Sequence, residues 1–329
     1  MASNISRRTA IGALAVSYAA LRIPSARAAE TLRVGKSVVE NIGFLPLDIG
    51  IQNGIFDKQG LTIEAINFGG AARLHQATIA NDVDIGLSAG PEMAFVAKGA
   101  PEIAVGAIAE SPMFMAYCVG ANSTAQGIDD LKGKRIAITS TGSLTEWLVD
   151  ELNRFKGWTA EGDRAVKVTI GGETTSAIAA IKTNQVDATI SSLQVGYLFE
   201  EQKVGRPLFD CSQYVKALEF NTIFASNPLV HDNPDTLRRF LQGWYEAVAF
   251  MKAHKDETVR IGAKVMNDPP PVVARTYDSL MARFSTDGKF NPAAIETLRA
   301  SFVALKTLNG PVDMTKLYTE QFLPKNSAA

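Results

Sequence analysis

Short runs of apolar and β-branched residues alternate with longer amphipathic stretches along this chain from Thr31 onward. Short apolar runs bounded by glycine predict strands, and apolar positions that recur every three or four residues predict helices. The predicted strands cover residues 32–38, 61–68, 84–89 and 102–110, and then 135–139, 165–171 and 188–193. Predicted helices lie between them. This alternation is typical of βαβ units that build a largely parallel sheet.

One phrase of the pattern occurs twice. NDVDIGLSAG at 81–90 returns as NQVDATISSL at 184–193, and a helical run that begins with a glycine pair precedes each copy. The first pair is Gly69 and Gly70, and the second is Gly171 and Gly172. We therefore expect two similar lobes, in which each glycine pair forms a strand-to-helix turn and each Val-Asp begins the next strand.

Two extended segments can connect these lobes. Residues 114–120 lead out of the first lobe, and residues 217–226 can carry the chain back to it. From Asn233 onward the pattern predicts long amphipathic helices, which we expect to pack on the first lobe. The predicted fold class is α/β, with two βαβ lobes, a hinge of two crossing segments, a ligand cleft between the lobes and a helical C-terminal part. The predicted domains are an export signal at 1–28, a first lobe of 29–117 plus 223–329, and a second lobe of 118–222.

The N-terminal 28 residues have the composition of an export signal. Arg7 and Arg8 precede a short apolar core, and the sequence Ala-Arg-Ala that ends at Ala28 predicts cleavage near Ala28/Ala29. The core is shorter than the ~20 residues that span a bilayer, so we expect a soluble periplasmic product and not an anchored one. SRRTAIG resembles the twin-arginine (Tat) export motif, but Ala10 stands where an aromatic residue or leucine is usual. The Sec route therefore stays open as well.

Charge and composition narrow the function classes. Without the four arginines of the predicted signal, 29 basic residues face 34 acidic ones, a net charge near −5, which argues against a nucleic-acid partner. Three histidines and two cysteines are too few for most metal clusters, and we expect no metal and no cofactor. Cys118 and Cys211 are the candidates for a disulfide. Two separate buried thiols are the favoured alternative, because exported proteins of this size seldom need a disulfide.

The stretch GFLPLDIGIQNGIFDKQGLTIEAINFGG resembles the opening of periplasmic solute-binding proteins that serve ABC importers of the nitrate, sulfonate and taurine group. The positions that match are Gly43, Phe44, Gly54, Phe56, Gly60, Leu61 and Ile63. VDIGLSAGPEMAFVAKGAPEIAVGA, DLKGKRIAIT and NQVDATI extend the resemblance over essentially the whole mature chain. The resemblance implies a type II periplasmic binding protein fold that closes two lobes on a small-molecule ligand. It also implies the permease of an ABC importer as a partner, and we expect a monomer.

Candidate ligand contacts follow from the predicted strand ends. Ligands of open α/β sheets bind beyond the carboxyl ends of strands, where the free N–H groups of helix starts attract anions. The best candidate loop follows residues 135–139 and contains Ser140, Thr141, Gly142 and Ser143; its alternative is an ordinary helix N-cap. The other candidates, at equivalent positions of both lobes, are Phe44, Gly70, Ser88, Ala89, Glu110, Glu173, Thr174, Ser192 and Gln194. Phe44 can instead be a core residue, the turn residues can be plain turns, and Glu110 can be a solvated acid.

The charges of these loops bear on the class of ligand. Arg73 is the basic residue within them, and Glu92, Glu110 and Glu173 are nearby acids. A doubly charged oxyanion would require several donors or a bidentate arginine. We therefore expect a monoanion, a zwitterion or a neutral polar aromatic compound: a sulfonate, taurine, a nitrate-like ion, or an aromatic or carboxylate compound. The sequence predicts a binding protein that delivers such a solute to an importer.

Two rival functions share the expected fold. One branch resembles yeast-type pyrimidine synthases, which depend on a cysteine-rich segment and an active-site histidine. Here His75, His231, His254 and the two cysteines are scattered, and His75 is expected mid-helix, on the surface or with its hydrogen bonds satisfied, so we expect no enzyme. The effector domain of a transcription regulator would require a DNA-binding segment where the export signal stands.

Overall fold

The computed structural model describes residues 30–38, 41–141, 143–171, 174–308, 310 and 312–325. The predicted export signal lies outside these residues, as do the candidate ligand contacts Gly142 and Glu173. Strands within the described residues are β1 (Glu30–Lys36), β2 (Leu61–Asn67), β3 (Ile85–Ala89), β4 (Glu102–Ala109), β5 (Met115–Gly120), β6 (Arg135–Ile138), β7 (Val166–Thr169), β8 (Ala188–Ser192), β9 (Gly205–Asp210) and β10 (Asn221–Ser226).

Helices cover both faces of the sheets and form most of the C-terminal third. They are α1 (Leu45–Gln52), α2 (Ile55–Lys58), α3 (Ala71–Ile79), α4 (Met93–Ala97), α5 (Leu144–Lys156), α6 (Thr174–Lys182), α7 (Leu193–Glu201), α8 (Asn227–Asp232), α9 (Pro234–Ala253), α10 (Lys255–Met266), α11 (Pro270–Leu280) and α12 (Pro292–Ala304). Helix α5 shows how local sequence sets these bounds. Ser143 caps its first turn, and Gly157 ends it with φ 66°, in the left-handed region that glycine adopts without strain.

The strands form two five-stranded sheets, ordered β2-β1-β3-β10-β4 and β7-β6-β8-β5-β9. Strand β1 pairs in parallel with β2 and β3, and β6 pairs in parallel with β7 and β8. Strand β10 runs antiparallel to β3 and β4, and β5 runs antiparallel to β8 and β9. The predicted two-lobed α/β fold is confirmed. Each sheet is mixed: four strands run in one direction, and the one strand that the chain adds on entering from the other lobe runs antiparallel to both of its neighbours.

The repeated phrase performs the same structural task in both lobes. Asn81 and Asn184 end α3 and α6 with φ of 61° and 53°, a conformation that asparagine tolerates better than most residues. Three residues after Asn81, Asp84 accepts a hydrogen bond from the backbone N–H of Arg33 at 2.8 Å, and its other oxygen lies 2.6 Å from the Arg33 guanidinium. Asp187 contacts Arg135 in the same way, at 2.8 and 2.9 Å. Each copy therefore ties the turn after a helix to β1 or β6, the strand with which the next strand pairs.

The chain crosses between the sheets twice, through residues 110–114 and 211–220. The segments 114–120 and 217–226, expected as connections, supply β5 to the second sheet and β10 to the first. The predicted lobe boundaries at 117/118 and 222/223 therefore cut through these two strands. A strand that belongs to the opposite lobe has the same local pattern as any other strand, so the pattern alone does not show at which residue one lobe ends and the other begins.

The C-terminal helices bury much of the first lobe. Helix α9 packs on α1 and α2, where the rings of Phe56 and Phe240 stack at 5.4 Å, and Trp244 is fully buried beside them. Arg239 on the same helix lies 2.6 Å from Glu30 at the start of β1. Helix α11 also contacts α7 of the second lobe. In the part of the chain that the structure describes, no helix combines the length and the apolar character needed to cross a membrane.

The two cysteines are separate, buried thiols. In the pairing of β5 with β9, Cys118 lies opposite Pro207, whereas Cys211 follows the last residue of β9. Burial raises the pKa of Cys118 to about 12 and raises that of Cys211 as well. The favoured expectation of two free thiols agrees with this arrangement, and neither thiol has the lowered pKa of a reactive cysteine.

Candidate functional site

The carboxyl ends of the parallel strands in both lobes lie beside the two crossing segments. Asn221, the first residue of β10 after the second crossing, pairs with Ala89 at the end of β3. Met115, the first residue of β5 after the first crossing, pairs with Ser192 at the end of β8. The end of β3 therefore adjoins the second crossing and the end of β8 adjoins the first, and we call the region between these strand ends the cleft. This cleft is where a ligand of an open α/β sheet would bind.

A network of hydroxyl groups lies on the second-lobe side of the cleft, at the start of α5. The hydroxyl of Ser143 accepts a hydrogen bond from the backbone N–H of Glu146 at 3.2 Å and donates one to the carbonyl of Ser140 at 2.7 Å. Thr145 connects this cap to the end of β6, because its hydroxyl accepts from the backbone N–H of Thr139 at 2.9 Å. Ser140 and Thr141 are exposed, so their hydroxyls are available to a ligand.

Replacing Ser143 by alanine is expected to lower the free energy of unfolding by about 1 kcal/mol, the usual cost of losing an N-cap. Aspartate at this position should retain stability, since its carboxylate also accepts from the first turn and is favoured by the helix dipole. Urea unfolding of the two variants and the wild type makes the comparison. Equal stability of the alanine variant and the wild type would contradict the capping role.

A second helix start, that of α7, adjoins the same cleft. Ser192 caps α7 by accepting a hydrogen bond from the backbone N–H of Val195 at 3.3 Å, and it remains half-buried. Gln194 is only 4% exposed, and its amide donates to the carboxylate of Asp268 at 2.5 Å. The pKa of Asp268 is raised, because burial raises it by more than the hydrogen bond from Gln194 lowers it. The donor that the sequence assigned to a ligand is therefore bound to the helical part of the first lobe.

The first-lobe candidates differ in how far they reach the cleft. Ser88 is fully buried, and its hydroxyl donates to Glu92 at 3.2 Å, a carboxyl whose pKa is raised by burial. Phe44 is 1% exposed within the hydrophobic core, which supports the alternative of a core residue. The candidates that are half-buried at strand or helix ends are Gly70, Ala89 and Glu110 in the first lobe and Thr174 in the second.

Two buried polar side chains that sequence reasoning missed lie at the end of the second crossing, Glu219 within it and Asn221 directly after it. Glu219 is fully buried; one carboxylate oxygen accepts from Thr222 at 3.3 Å, and the other has no partner among the described residues. Burial, together with the charge of Glu110, raises the pKa of Glu219 well above its usual range. The side-chain oxygen of Asn221 likewise has no partner in the described part of the chain. No motif marks these residues, because they lie in a segment that resembles a plain strand.

The cations near the cleft are few. Lys36, at the end of β1, was not identified from the sequence; it is 3% exposed, and its ammonium lies 3.1 Å from Asp48, which neutralises it locally. Arg73 is exposed and lies next to Gly69, where an added Cβ would be 3.5 Å from its Nη1. Within the described residues, no three histidine, cysteine or acidic side chains form a group that could hold a metal ion. The arrangement offers hydroxyls, helix starts and acceptor oxygens for a small polar molecule.

Comparison with known proteins agrees with this geometry. Residues 41–258 match the family model described as NMT1/THI5 like. A binding protein of Brucella abortus is 24% identical over 320 residues, covering 94% of this chain and 97% of its own. A Haemophilus influenzae protein named for thiamine biosynthesis is 26% identical over 210 residues. The match covers 63% of this chain and 64% of the Haemophilus protein, so the chain spans just under two thirds of that relative's length.

Among solved structures, the chain is similar to the periplasmic aliphatic sulphonate-binding protein of Escherichia coli. The TM-score is 0.73 at 20% identity, covering 88% of this chain and 92% of that one. At this identity the likeness shows the fold, which is that of periplasmic binding proteins. The expected resemblance to sulfonate-type binding proteins is thereby confirmed at the level of fold.

Proposed function

This chain belongs to the NMT1/THI5-like family, and from that premise we propose that it is a periplasmic, monomeric receptor for a small polar solute. The solute is a monoanion or zwitterion such as a sulfonate, or an aromatic or carboxylate compound, and the receptor delivers it to the permease of an ABC importer. Export is supported by the composition of residues 1–28. The E. coli neighbour is by name a periplasmic sulphonate-binding protein, and the Brucella relative is by name a binding protein.

One observation carries this proposal: the starts of α5 and α7 adjoin one cleft, with serine hydroxyls at both. Ser140 is exposed and Ser192 is half-buried, so a ligand can reach both. Helix starts favour negative charge through their free N–H groups and dipole. Closure of the lobes over a ligand would change the outer faces of both lobes together, and a permease can sense that change.

An enzyme of the pyrimidine-synthase type is the competing function, because the Haemophilus relative is named for thiamine biosynthesis. Two features weigh against catalysis in this cleft. Burial raises the pKa of both thiols, which removes the nucleophile that cysteine supplies only as thiolate. His75, in the helix that follows the Gly69-Gly70 turn, is fully buried in the first lobe and bound to Glu102.

A thermal-shift screen of the exported chain tests the receptor function. The panel contains ethanesulfonate and aryl sulfonates, taurine, nitrate, small carboxylates, aromatic acids and pyrimidines. A ligand at 100 times its Kd adds about 2.7 kcal/mol to the free energy of unfolding. For a protein of this size, that amounts to a rise of several degrees in Tm. We expect such a rise with one chemical class.

Three serine variants locate the site. The rise in Tm should be lost or strongly reduced in Ser140→Ala and in Ser192→Ala. It should persist in Ser123→Ala, a half-buried serine of a second-lobe turn whose hydroxyl accepts from the backbone N–H of Ala125 at 3.3 Å. A rise that survives both cleft substitutions would place the ligand elsewhere. Turnover of a panel compound would establish the enzyme instead.

A further inference from the structure

The two lobes touch directly at a place outside the crossing segments. Gln194 on α7 donates to Asp268 at 2.5 Å and contacts the sulfur of Met266 at 3.5 Å. The hydroxyls of Tyr197 and Ser279 are 2.7 Å apart. We call this contact the α7–α11 bridge; it consists of Gln194, Tyr197 and Glu200 from the second lobe and of Met266, Asp268, Arg275 and Ser279 from the helical part of the first.

Arginine and aromatic contacts complete the bridge. The guanidinium of Arg275 lies 4.0 Å from the centre of the Tyr197 ring and forms an ion pair with Glu200. Arg275 and Ser279 are four residues apart, so they share one face of α11. Both members of the ion pair are substantially exposed, and exposed pairs contribute little. The buried Gln194 to Asp268 bond is therefore the stronger part of the bridge.

A cavity of about 320 Å³ lies alongside the bridge. Its walls come from α7, from β9, from α11 and from Met113 in the first crossing. The lobes are thus not packed tightly against each other at this point. A contact of a few polar bonds beside an open cavity can separate at less cost than a packed apolar interface, because no close-packed surface is lost.

We propose that the α7–α11 bridge holds the two lobes near each other before a ligand arrives. Gln194 is the second residue of α7, two positions after the Ser192 cap that adjoins the cleft, so the bridge fixes the orientation of this helix start. Loss of the bridge leaves the two crossing segments as the connection between the sheets and permits wider opening. The apparent affinity for the ligand then falls in proportion to the fraction of molecules that remain competent to bind. That consequence rests on the proposed function, whereas the bridge itself does not.

Distance measurement in the ligand-free protein tests the bridge. Spin labels on Gln76→Cys in α3 and Lys182→Cys in α6 report the separation of the lobes, since both positions are exposed and belong to equivalent helices. Cys118 and Cys211 are buried and should not react. We expect Asp268→Ala to shift the distribution to longer distances by about 2 Å or more, the scale of domain rearrangements. Asp268→Asn keeps an acceptor for Gln194 and should stay close to the wild type.

The matched control is Asp278→Ala. Asp278 is an exposed aspartate of α11, and its ion pair with Lys255, at 2.6 Å, lies inside the helical part of the first lobe. The distances between the two spin labels in the Asp278→Ala variant should equal those in the wild type. Identical distributions for Asp268→Ala and Asp278→Ala would overturn the proposal.

A charge reversal provides the second test and guards against a folding defect. Arg275→Glu replaces the ion pair with two like charges and removes the guanidinium from the Tyr197 ring, so it should lengthen the distances, though by less than Asp268→Ala does. Adding Glu200→Arg to the same chain restores opposite charges and should return the distances toward those of the wild type. A lengthening that the double variant fails to reverse would show damage to α11 and not loss of the bridge. Because no ligand is present, these outcomes are independent of the thermal-shift screen.

Discussion

Replacing Glu102 by alanine is expected to lower the free energy of unfolding by about 3 kcal/mol, because it removes the partner of a histidine that water does not reach. Oε1 of Glu102 lies 2.6 Å from Nδ1 of His75, and both residues are at most 2% exposed. The rings of Phe95 and Phe224 lie against the imidazole at 4.5 and 5.2 Å. The variant therefore buries a ring nitrogen in aromatic surroundings without its acceptor.

Urea unfolding followed by circular dichroism measures this loss. Glu257→Ala is the control, since Glu257 forms an exposed ion pair with Arg260 on the same helix, and its unfolding curve should overlay that of the wild type. A double variant with His75→Phe and Glu102→Leu should recover most of the stability, because an apolar pair needs no hydrogen bond. If Glu102→Ala unfolds at the same urea concentration as Glu257→Ala, the buried pair is not a stabilising element.

Replacing Gly90 by alanine is expected to cost about 3 kcal/mol as well, at the upper end of overpacking effects. A Cβ built on Gly90 would lie 2.1 Å from the backbone carbonyl oxygen of Glu219. That carbonyl cannot rotate away as a side chain could, because the second crossing is pinned on both sides. Phe220 accepts from the N–H of Gly90 at 3.2 Å and donates its own N–H to Ala109 at 2.8 Å.

Gly127→Ala is the matched substitution. Its backbone is extended, with φ −168°, and no atom lies within 4 Å of a Cβ at that position. Stability should therefore change by no more than about 0.5 kcal/mol. Denaturant unfolding of both variants gives the comparison. A loss below about 1 kcal/mol for Gly90→Ala would mean that the crossing can shift away from β3, which is the kind of movement a hinge makes.

The elements themselves follow from local pattern. The run at residues 135–139 predicts the strand observed at Arg135–Ile138, because β-branched residues fit a pleated and buried position. Ser143 before an amphipathic run predicts the start of α5 for a similarly local reason, the need of the first N–H groups for an acceptor. The repeated Asn-x-Val-Asp phrase predicts two equivalent lobes from the sequence alone. The contacts that recur at Asp84 and Asp187 are long-range, because each aspartate pairs with an arginine 51 or 52 positions earlier.

No local sequence pattern predicts which residues of distant segments contact each other. Gln194 and Asp268 are 74 positions apart, and neither lies in a motif that names the other. His75 was expected on the surface or satisfied in mid-helix, and it is buried against Glu102, 27 positions away. A polar side chain on a helix has the same pattern whether it faces water or a buried partner. Only its tertiary neighbours decide between the two.

The sequence by itself determined the two-lobed α/β architecture, the repeated strand-to-helix turns and the hydroxyl-rich starts of α5 and α7. These features depend on residues within a few positions of one another. The tertiary structure decided which strand each lobe receives from the other, that Glu219 and Asn221 are buried beside the second crossing, and that Gln194 joins the lobes. Those outcomes depend on burial and on partners far along the chain, because the free energy of a buried polar group depends on the atoms around it.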